Sequence, residues 1–343
     1  MKTNKVIMTG IGSYLPGPVI DNELLEDILQ FPVKSFMEFF GIATRHFVVS
    51  PKTGEKIEDE LGSTEMAARA AKDAIKFAGI DTDSIDLLIT NTSTPDKRLP
   101  PFSVMVQDRL RIDNVKAIDI RGGCAAGIQA VFLAKVLIET GSANCALVCA
   151  AECPSPYYYA PLLRNKKPSH SDLINGLIFG DGGAACVLER QDIKNDDRSM
   201  FSMGYSNTVS RFPYEPHGYE LDNNGSTKHN NKAIRKVLPE VVMAAQIDLE
   251  QGTNRSIIDN DVVILPQVNL SMINMVSTEL ERELIREKMF YIGDIVGNVP
   301  APALLLALDH GIRENVVKPA RSTVGILSIE TTSWIYAVAE LLP

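Results

Sequence analysis

The sequence predicts an α/β protein in which helices cover both faces of mostly parallel β-sheets. Three observations support this class. The chain has 343 residues, enough for two or three packed units. Hydrophobic residues make up 45% and charged residues 22%, as in an ordinary folded protein. Short apolar runs alternate with segments of helical periodicity, which is typical of sheets buried on both faces.

In the first half of the chain, each predicted element has a local signal. The apolar run Val6–Gly10 predicts a strand. The sequence Ser63-Thr64-Glu65 predicts the start of a helix that ends at Gly79. Further strands are expected at 85–90, 115–120, 145–151 and 184–189, and a further helix at 125–140.

The second half repeats this rhythm. Strands are expected at 262–265, 323–329 and 334–340, and helices at 278–289 and 303–309. The stretch 191–235 is rich in Asp, Asn and Lys and is the best boundary. We therefore expect two similar halves, residues 1–190 and 191–343.

The charge balance excludes some classes of function. The chain has 34 basic and 43 acidic residues, a formal net charge of −9, and no basic cluster. This argues against nucleic acid and acidic membranes as partners. Charge-free stretches such as 122–134 and 295–308 are shorter than the roughly 18 residues of a membrane span. The start of the chain lacks the pattern of a signal peptide. We expect a cytoplasmic protein.

Two motifs that suggest a metal or a cofactor are rejected. Cys145, Cys149 and Cys153 lie on the apolar run ALVCAAEC with no histidine nearby, so we interpret them as buried thiols. The pair Gly10-Ile-Gly12 follows a strand, but its spacing does not match the dinucleotide-binding loop. We expect neither metal nor cofactor.

The sharpest motif surrounds Cys124. A strand runs into Arg121-Gly122-Gly123, then Cys124, and then a helix of small and apolar residues. Glycines at such a turn allow the tight geometry that presents a nucleophile at a helix N-terminus. The helix dipole and free N–H groups there stabilise a thiolate and a developing oxyanion. The alternative is a buried cysteine at a packed turn.

Three motifs together resemble β-ketoacyl-ACP synthase III, a member of the thiolase-like condensing enzyme superfamily. They are the Gly-Cys-Ala-Ala-Gly at 123–127, the Phe-Gly-Asp-Gly at 179–182 and the Gly-Asn at 297–298 that precedes a Leu-rich helix. The resemblance covers nearly the whole chain. It implies duplicated α-β-α-β-α halves in five layers, a homodimer, and transfer of an acyl group from CoA or carrier protein through a cysteine to a second substrate.

The resemblance assigns two residues of the family's Cys-His-Asn triad. Cys124 matches the acyl-accepting nucleophile and Asn298 the asparagine. The family's Pro-His-Gln-Ala-Asn-Leu is Leu-Pro-Gln-Val-Asn-Leu at 265–270. Depending on the register, Pro266 or Gln267 stands in place of the histidine, and neither can supply an imidazole. Because histidine and asparagine together hold the enolate oxygen during decarboxylation, we expect the second half-reaction to be impaired, and acylation of Cys124 to survive.

A second departure is the family's glycine-rich loop near the C-terminus, here Ser328 to Trp334. Its backbone donor is expected to persist. Glu330 is either a substitute general base or a solvated or paired loop residue, and we prefer the second interpretation. Glu152, after the 145–151 strand, is interpreted as structural.

Other segments concern the partners. The stretch 95–102 matches the family's loop that reaches across the dimer, so Leu99 and Phe102 are expected to shape the partner's acyl pocket. The family's tryptophan and arginine that clamp CoA are not evident in 33–41, so a carrier protein is as plausible a donor as CoA. Tyr157–Tyr159 either cover the entrance or simply pack.

The residues and the resemblance together predict an acyltransferase, an acyl-thioester condensing enzyme of fatty acid or polyketide-type metabolism. Two alternatives stay open. One is a non-decarboxylating acyltransferase that passes the acyl group to oxygen, nitrogen or an already acidic carbon. The other is a catalytically silent subunit that forms a heterodimer with an active homologue, although such a subunit would not need Cys124 and Asn298.

Overall fold

A computed structural model of the chain describes residues 4–191, 198–221, 227–280 and 282–343. The strands are β1 (Val6–Tyr14), β2 (Ile20–Asp21), β3 (Thr44–Arg45), β4 (Leu87–Asn91), β5 (Lys116–Ile120), β6 (Cys145–Glu152), β7 (Gly182–Arg190), β8 (Phe201–Ser210), β9 (Tyr219–Leu221), β10 (Thr227–His229), β11 (Val262–Ile264), β12 (Val324–Glu330) and β13 (Ile335–Leu342).

The first helix begins at Asn22, directly after β2, and the last one ends at Arg313. They are α1 (Asn22–Leu29), α2 (Val33–Glu38), α3 (Ser63–Ala78), α4 (Phe102–Leu110), α5 (Ala126–Glu139), α6 (Tyr159–Arg164), α7 (His170–Ile178), α8 (Asn231–Thr253), α9 (Leu270–Thr278), α10 (Arg282–Lys288), α11 (Gly293–Val296) and α12 (Ala303–Arg313). Among the described residues, no helix is long and apolar enough to cross a membrane.

Nine strands form one sheet in the order β11-β12-β13-β8-β1-β7-β6-β4-β5. The set β4, β6, β7, β1 is repeated in order and direction by β11, β12, β13, β8. In each set the first pair is parallel and the next two are antiparallel. The two sets join through the antiparallel pair β1–β8. This repetition is the duplication predicted for a thiolase-like fold.

The apolar side chains form five layers. Helices α5 and α12 lie side by side at the centre, packed against the inner faces of both sets of strands. Helices α3 and α4 cover the outer face of the first set. Helices α8 and α9 cover the outer face of the second. Alternate residues of each strand therefore face different helices, and the strands are apolar on both faces.

Two details of the sequence-based prediction are wrong. The sheet is mixed rather than mostly parallel, because β7 and β13 each run antiparallel to both neighbours. A strand that is buried on both faces is a continuous apolar run whether it pairs in parallel or antiparallel, so the sequence pattern does not reveal the strand direction. The helix predicted at 278–289 is shorter, since one helix ends at Thr278 and the next covers Arg282–Lys288.

Candidate active site

Cys124 lies at the turn that connects β5 to the central helix α5. Residues Gly123–Ala125 form one 3-10 turn, and α5 begins at Ala126. Gly123 has φ +51°, in the left-handed region. A Cβ atom at this position would lie 1.8 Å from Oε2 of Glu330. Glycine is therefore required here both for the turn and for the approach of Glu330.

Glu330 is the last residue of β12 and is buried, with 4% of its surface exposed. Its Oε2 accepts the backbone N–H of Cys124 at 2.5 Å, and its Oε1 accepts the N–H of Thr332 at 2.7 Å. Glu330 is thus a paired residue, not a solvated one. The N–H groups of Cys124 and of the loop after β12 were expected to face an acyl oxygen, and here both donate to this carboxylate.

The position of Cys124 at a helix N-terminus predicted a stabilised thiolate, whereas the surroundings of Cys124 disfavour the thiolate. Burial is the main cause that raises the pKa of the thiol well above its usual value. The carboxylates of Glu330 and Glu152 raise it further, and Glu330 also interacts with the thiol by a hydrogen bond. The thiol therefore stays protonated at neutral pH, and forming a thiolate requires a proton acceptor.

Asn298 is held by the Phe-Gly-Asp-Gly motif that singled out this family. Its backbone N–H donates to Ile178 O at 2.8 Å, and its carbonyl accepts the N–H of Gly180 at 2.9 Å. A Cβ at Gly180 would lie 2.2 Å from the carbonyl oxygen of Val296, so the two segments require glycine there. The buried Oδ1 of Asn298 has no hydrogen-bond partner among the described residues.

Asp181 of the same motif anchors the segment. Its carboxylate accepts the backbone N–H of Val48 at 2.6 Å and that of Ser155 at 2.9 Å, and the Ser155 hydroxyl as well. Burial raises the pKa of Asp181 to about 7, against these hydrogen bonds. Asp181 therefore has a structural role.

Gln267 does not replace the missing histidine. Its Nε2 donates to the carbonyls of Leu265 at 2.7 Å and Phe290 at 3.3 Å, and its Oε1 accepts the N–H of Ile292 at 2.7 Å. The whole amide is committed to the backbone. Asn269 caps α9, and its side chain accepts the N–H of Met272 at 3.1 Å. This arrangement favours the register in which Pro266 stands in place of the histidine.

Histidines do not reach this centre by hydrogen bonds in the part of the chain that the structure describes. His46 is hydrogen-bonded to the carbonyl of Pro16, and His229 to the side chain of Asn175. The titratable groups that act on the Cys124 thiol are therefore the carboxylates of Glu330 and Glu152 rather than an imidazole.

Glu152 is the second carboxylate near Cys124. Its Oε1 accepts the N–H of Ser93 at 2.7 Å, and its Oε2 accepts the hydroxyl of Thr94 at 2.6 Å. Burial raises its pKa to about 7, and the charge of Glu330 contributes in the same direction. Glu152 can thus remain partly protonated near neutral pH, which limits its repulsion of Glu330.

Two further groups at the site were missed or only partly foreseen. Tyr219 lies in the polar stretch that predicted only a boundary, yet its hydroxyl is affected by the charges of Glu330 and Cys124. Its partner is Tyr158, at a hydroxyl–hydroxyl distance of 2.9 Å. No local pattern marks Tyr219, because β9 reaches the site only through the tertiary fold.

The two residues predicted to reach a partner's pocket differ in exposure. Phe102 is 4% exposed and packs in the core beneath α3 and α4, and its role stays a prediction. Leu99 is 78% exposed, and its role stays a prediction. The cysteines 145, 149 and 153 are buried free thiols along and just after β6.

Comparisons with known proteins agree with this architecture. Residues 44–209 match the family described as FAE1/type III polyketide synthase-like protein. The β-ketoacyl-[acyl-carrier-protein] synthase III of Wolbachia pipientis wMel is 28% identical over 326 residues, 92% of each chain. That of Clostridium perfringens strain ATCC 13124 is 28% identical over 350 residues, 99% of this chain and all of the relative.

Solved structures show the same fold. AbyA1, a tetronic acid condensing enzyme, is 25% identical with a TM-score of 0.86, over 98% of this chain and 100% of that one. The 3-oxoacyl-[acyl-carrier-protein] synthase III of Aquifex aeolicus VF5 has 25% identity and a TM-score of 0.80 over the same shares. OleA of Xanthomonas campestris, at 17% identity and a TM-score of 0.85 over the full length of both chains, supports the fold alone.

Proposed function

We propose that this chain is a β-ketoacyl-ACP synthase III-like condensing enzyme of the thiolase-like superfamily, with Cys124 as its nucleophile and Glu330 as its base. It condenses acyl thioesters in fatty acid or polyketide-type metabolism. In the proposed first step, Cys124 takes an acyl group from a thioester. In the second step, that group passes to an acceptor.

The contact between Glu330 and Cys124 carries the proposal. The Glu330 carboxylate accepts the backbone N–H of the half-buried Cys124, and the thiol needs a proton acceptor because its pKa is raised. The Cys124 proton moves to Glu330 as sulfur attacks the thioester carbonyl. The new bond from sulfur to carbon forms, the bond to the leaving thiol breaks, and the proton returns from Glu330 to that thiolate.

The same charges argue against malonyl thioesters as acceptors. A malonyl carboxylate would approach Glu330, with Glu152 nearby and no imidazole to hold the enolate oxygen. A neutral acceptor that gives up a proton suits the site better. We therefore propose a hydroxyl, an amine or an already acidic carbon as the attacking group, with Glu330 as the base in this step too.

The assembly is also proposed. Strand β5 lies at one end of the sheet, so one of its backbone edges is unpaired within the described chain. Leu99 is exposed in the segment that the family resemblance places across the dimer. These features support a cytoplasmic homodimer that takes acyl groups from CoA or a carrier protein.

The test compares two rates on the purified protein. Acylation of Cys124 is followed by intact-protein mass spectrometry with acetyl-, octanoyl- and lauroyl-CoA, and decarboxylation by release of labelled CO₂ from malonyl-CoA. We expect decarboxylation to be slower than acylation by about 100-fold or more, the cost of one missing oxyanion donor. Decarboxylation as fast as acylation would contradict the proposed acceptor class.

A further inference from the structure

Two backbone N–H groups expected to hold the oxygen of the acyl group are already occupied in this site. When a thiolate attacks a thioester, the carbonyl oxygen becomes an oxyanion that must be held by hydrogen bonds. The N–H groups of Cys124 and Thr332 both donate to Glu330. A donor for this oxygen has to come from another element of the fold.

The hairpin of β9 and β10 lies beside this centre and is anchored on two sides. On one side, the N–H of Gly218 donates to the carbonyl of Thr331 at 2.9 Å, directly after Glu330. On the other side, Asn175 of α7 donates to the Thr227 hydroxyl at 2.7 Å and contacts Nε2 of His229 at 3.0 Å. Strands β9 and β10 are thus held both to the loop after β12 and to helix α7.

Tyr219, the first residue of β9, is held in place by contacts with His229 and Tyr158. Its ring packs edge-on against His229 with centroids 4.9 Å apart, and its hydroxyl lies 2.9 Å from that of Tyr158. Tyr158 in turn stacks on Phe179 at 5.3 Å, and Phe179 forms a backbone bridge with Asn298. Through Tyr158 and Phe179, Tyr219 is thereby linked to the backbone of Asn298.

Two phenols joined by one hydrogen bond use only one of their two hydroxyl hydrogens. The other hydrogen is available to a third oxygen. Burial, the neighbouring Tyr158 and the charge of Glu330 raise the pKa of Tyr219 far above its usual value. The hydroxyl therefore stays protonated throughout the neutral range and remains a donor.

We propose that the Tyr219 hydroxyl, oriented by Tyr158, donates a hydrogen bond to the carbonyl oxygen of the thioester attacked by Cys124. This inference rests on the proposed function, because it requires Cys124 to be the nucleophile. It assigns to Tyr219, on strand β9, the task that the backbone N–H groups of Cys124 and Thr332 cannot perform while Glu330 accepts them.

The experiment measures two reactions of Cys124 in the full chain. Acylation by octanoyl-CoA passes through an oxyanion, whereas alkylation by iodoacetamide does not. Tyr219→Phe should slow acylation by about 100- to 1000-fold and leave alkylation within about twofold. Tyr158→Phe keeps the Tyr219 hydroxyl and should slow acylation only about fivefold. Tyr214→Phe is the control, because Tyr214 precedes strand β9 in the chain and is 99% exposed, and it should change neither rate.

The outcomes separate the inference from its premise. Acylation by Tyr219→Phe at the wild-type rate, or equal losses of acylation and alkylation, would overturn the donor role. A larger loss in Tyr158→Phe than in Tyr219→Phe would also overturn it. If Tyr219→Phe does not fold, acylation of Tyr158→Phe at the wild-type rate would contradict the proposed role of the Tyr158–Tyr219 pair. A wild-type protein that is alkylated at Cys124 but acylated neither by acetyl-, octanoyl- or lauroyl-CoA nor by the corresponding acyl-carrier proteins would refute the proposed function itself.

Discussion

Replacing Glu330 with glutamine tests whether this carboxylate activates the thiol or merely obstructs it. The substitution keeps the size of the side chain and removes its charge and its capacity to accept a proton. A glutamine oxygen can accept one of the two N–H groups of Cys124 and Thr332, which now lie 2.5 and 2.7 Å from Glu330. The other N–H would face an amide NH₂ group and lose its partner.

The two roles of Glu330 predict rate changes of opposite sign. If Glu330 is the base, Glu330→Gln should slow acylation of Cys124 by about 100- to 10,000-fold near pH 7. If Glu330 only repels a thiolate, removing its charge lowers the thiol pKa and speeds acylation. The orphaned N–H costs about 1–3 kcal/mol of unfolding free energy in either case.

The assay is the acylation of Cys124 by octanoyl-CoA, quenched at intervals between pH 6 and 9 and read by intact-protein mass. In Glu330→Gln the rate should rise steeply with pH, because only the small thiolate fraction reacts. Glu340→Gln is the matched control, since Glu340 is also a buried glutamate, in the adjacent strand β13, and pairs with Arg255. Acylation of Glu330→Gln as fast as wild type would refute the base assignment.

Three further predictions concern the missing imidazole, a buried carboxylate and the assembly. Pro266→His should raise CO₂ release from malonyl-CoA without improving acylation; no gain in a folded variant would argue against this register. Burial raises the pKa of Glu152 to about 7, so its contribution to stability is full below about pH 4.5 and is lost as the pH rises through 7. Urea unfolding of wild type should therefore lose roughly 3 kcal/mol relative to Glu152→Gln between pH 4.5 and 8, whereas parallel profiles would contradict the shift. Leu99→Asp should weaken self-association in sedimentation velocity, and Val19→Asp, at another exposed apolar residue, should not; an unchanged dimer, or a wild-type monomer, would contradict the proposed interface.

Local sequence signals predicted the elements that have one apolar pattern and a clear end. The helix α3 begins at Ser63 and ends before Gly79, whose φ of +64° closes it as expected. The strands β4, β6 and β12 follow continuous apolar runs. The turn that carries Cys124 was also predicted from its glycines and the small residues after them.

Elements inside polar sequence were not predicted. Helix α8 covers Asn231–Thr253 and includes Pro239, and its first turns fall within the stretch interpreted as a boundary. Its buried face, which includes Val237, Val241 and Ala245, has helical spacing, but the charged residues between them obscure the pattern. The β9–β10 hairpin was missed for the same reason.

The chemistry of the site depends on contacts that local patterns do not contain. Glu330 and Cys124 are 206 positions apart, and their contact reverses the effect expected from the helix N-terminus alone. The position of Tyr219 next to Tyr158 depends on the hairpin and on α6 meeting across the fold. Sequence motifs thus identify candidate residues, whereas the charge around the thiol follows from the tertiary structure.

The site of acylation is the most direct test of the proposed function. The protein is incubated with acyl-CoAs and with acyl-carrier proteins, digested, and mapped by tandem mass spectrometry. We predict an acyl group on the peptide that contains Cys124 and none in Cys124→Ala, whose circular dichroism should match wild type. An acyl group on Cys145, Cys149, Cys153 or Cys186, or no acylation with any donor, would contradict the assignment of Cys124 as the nucleophile.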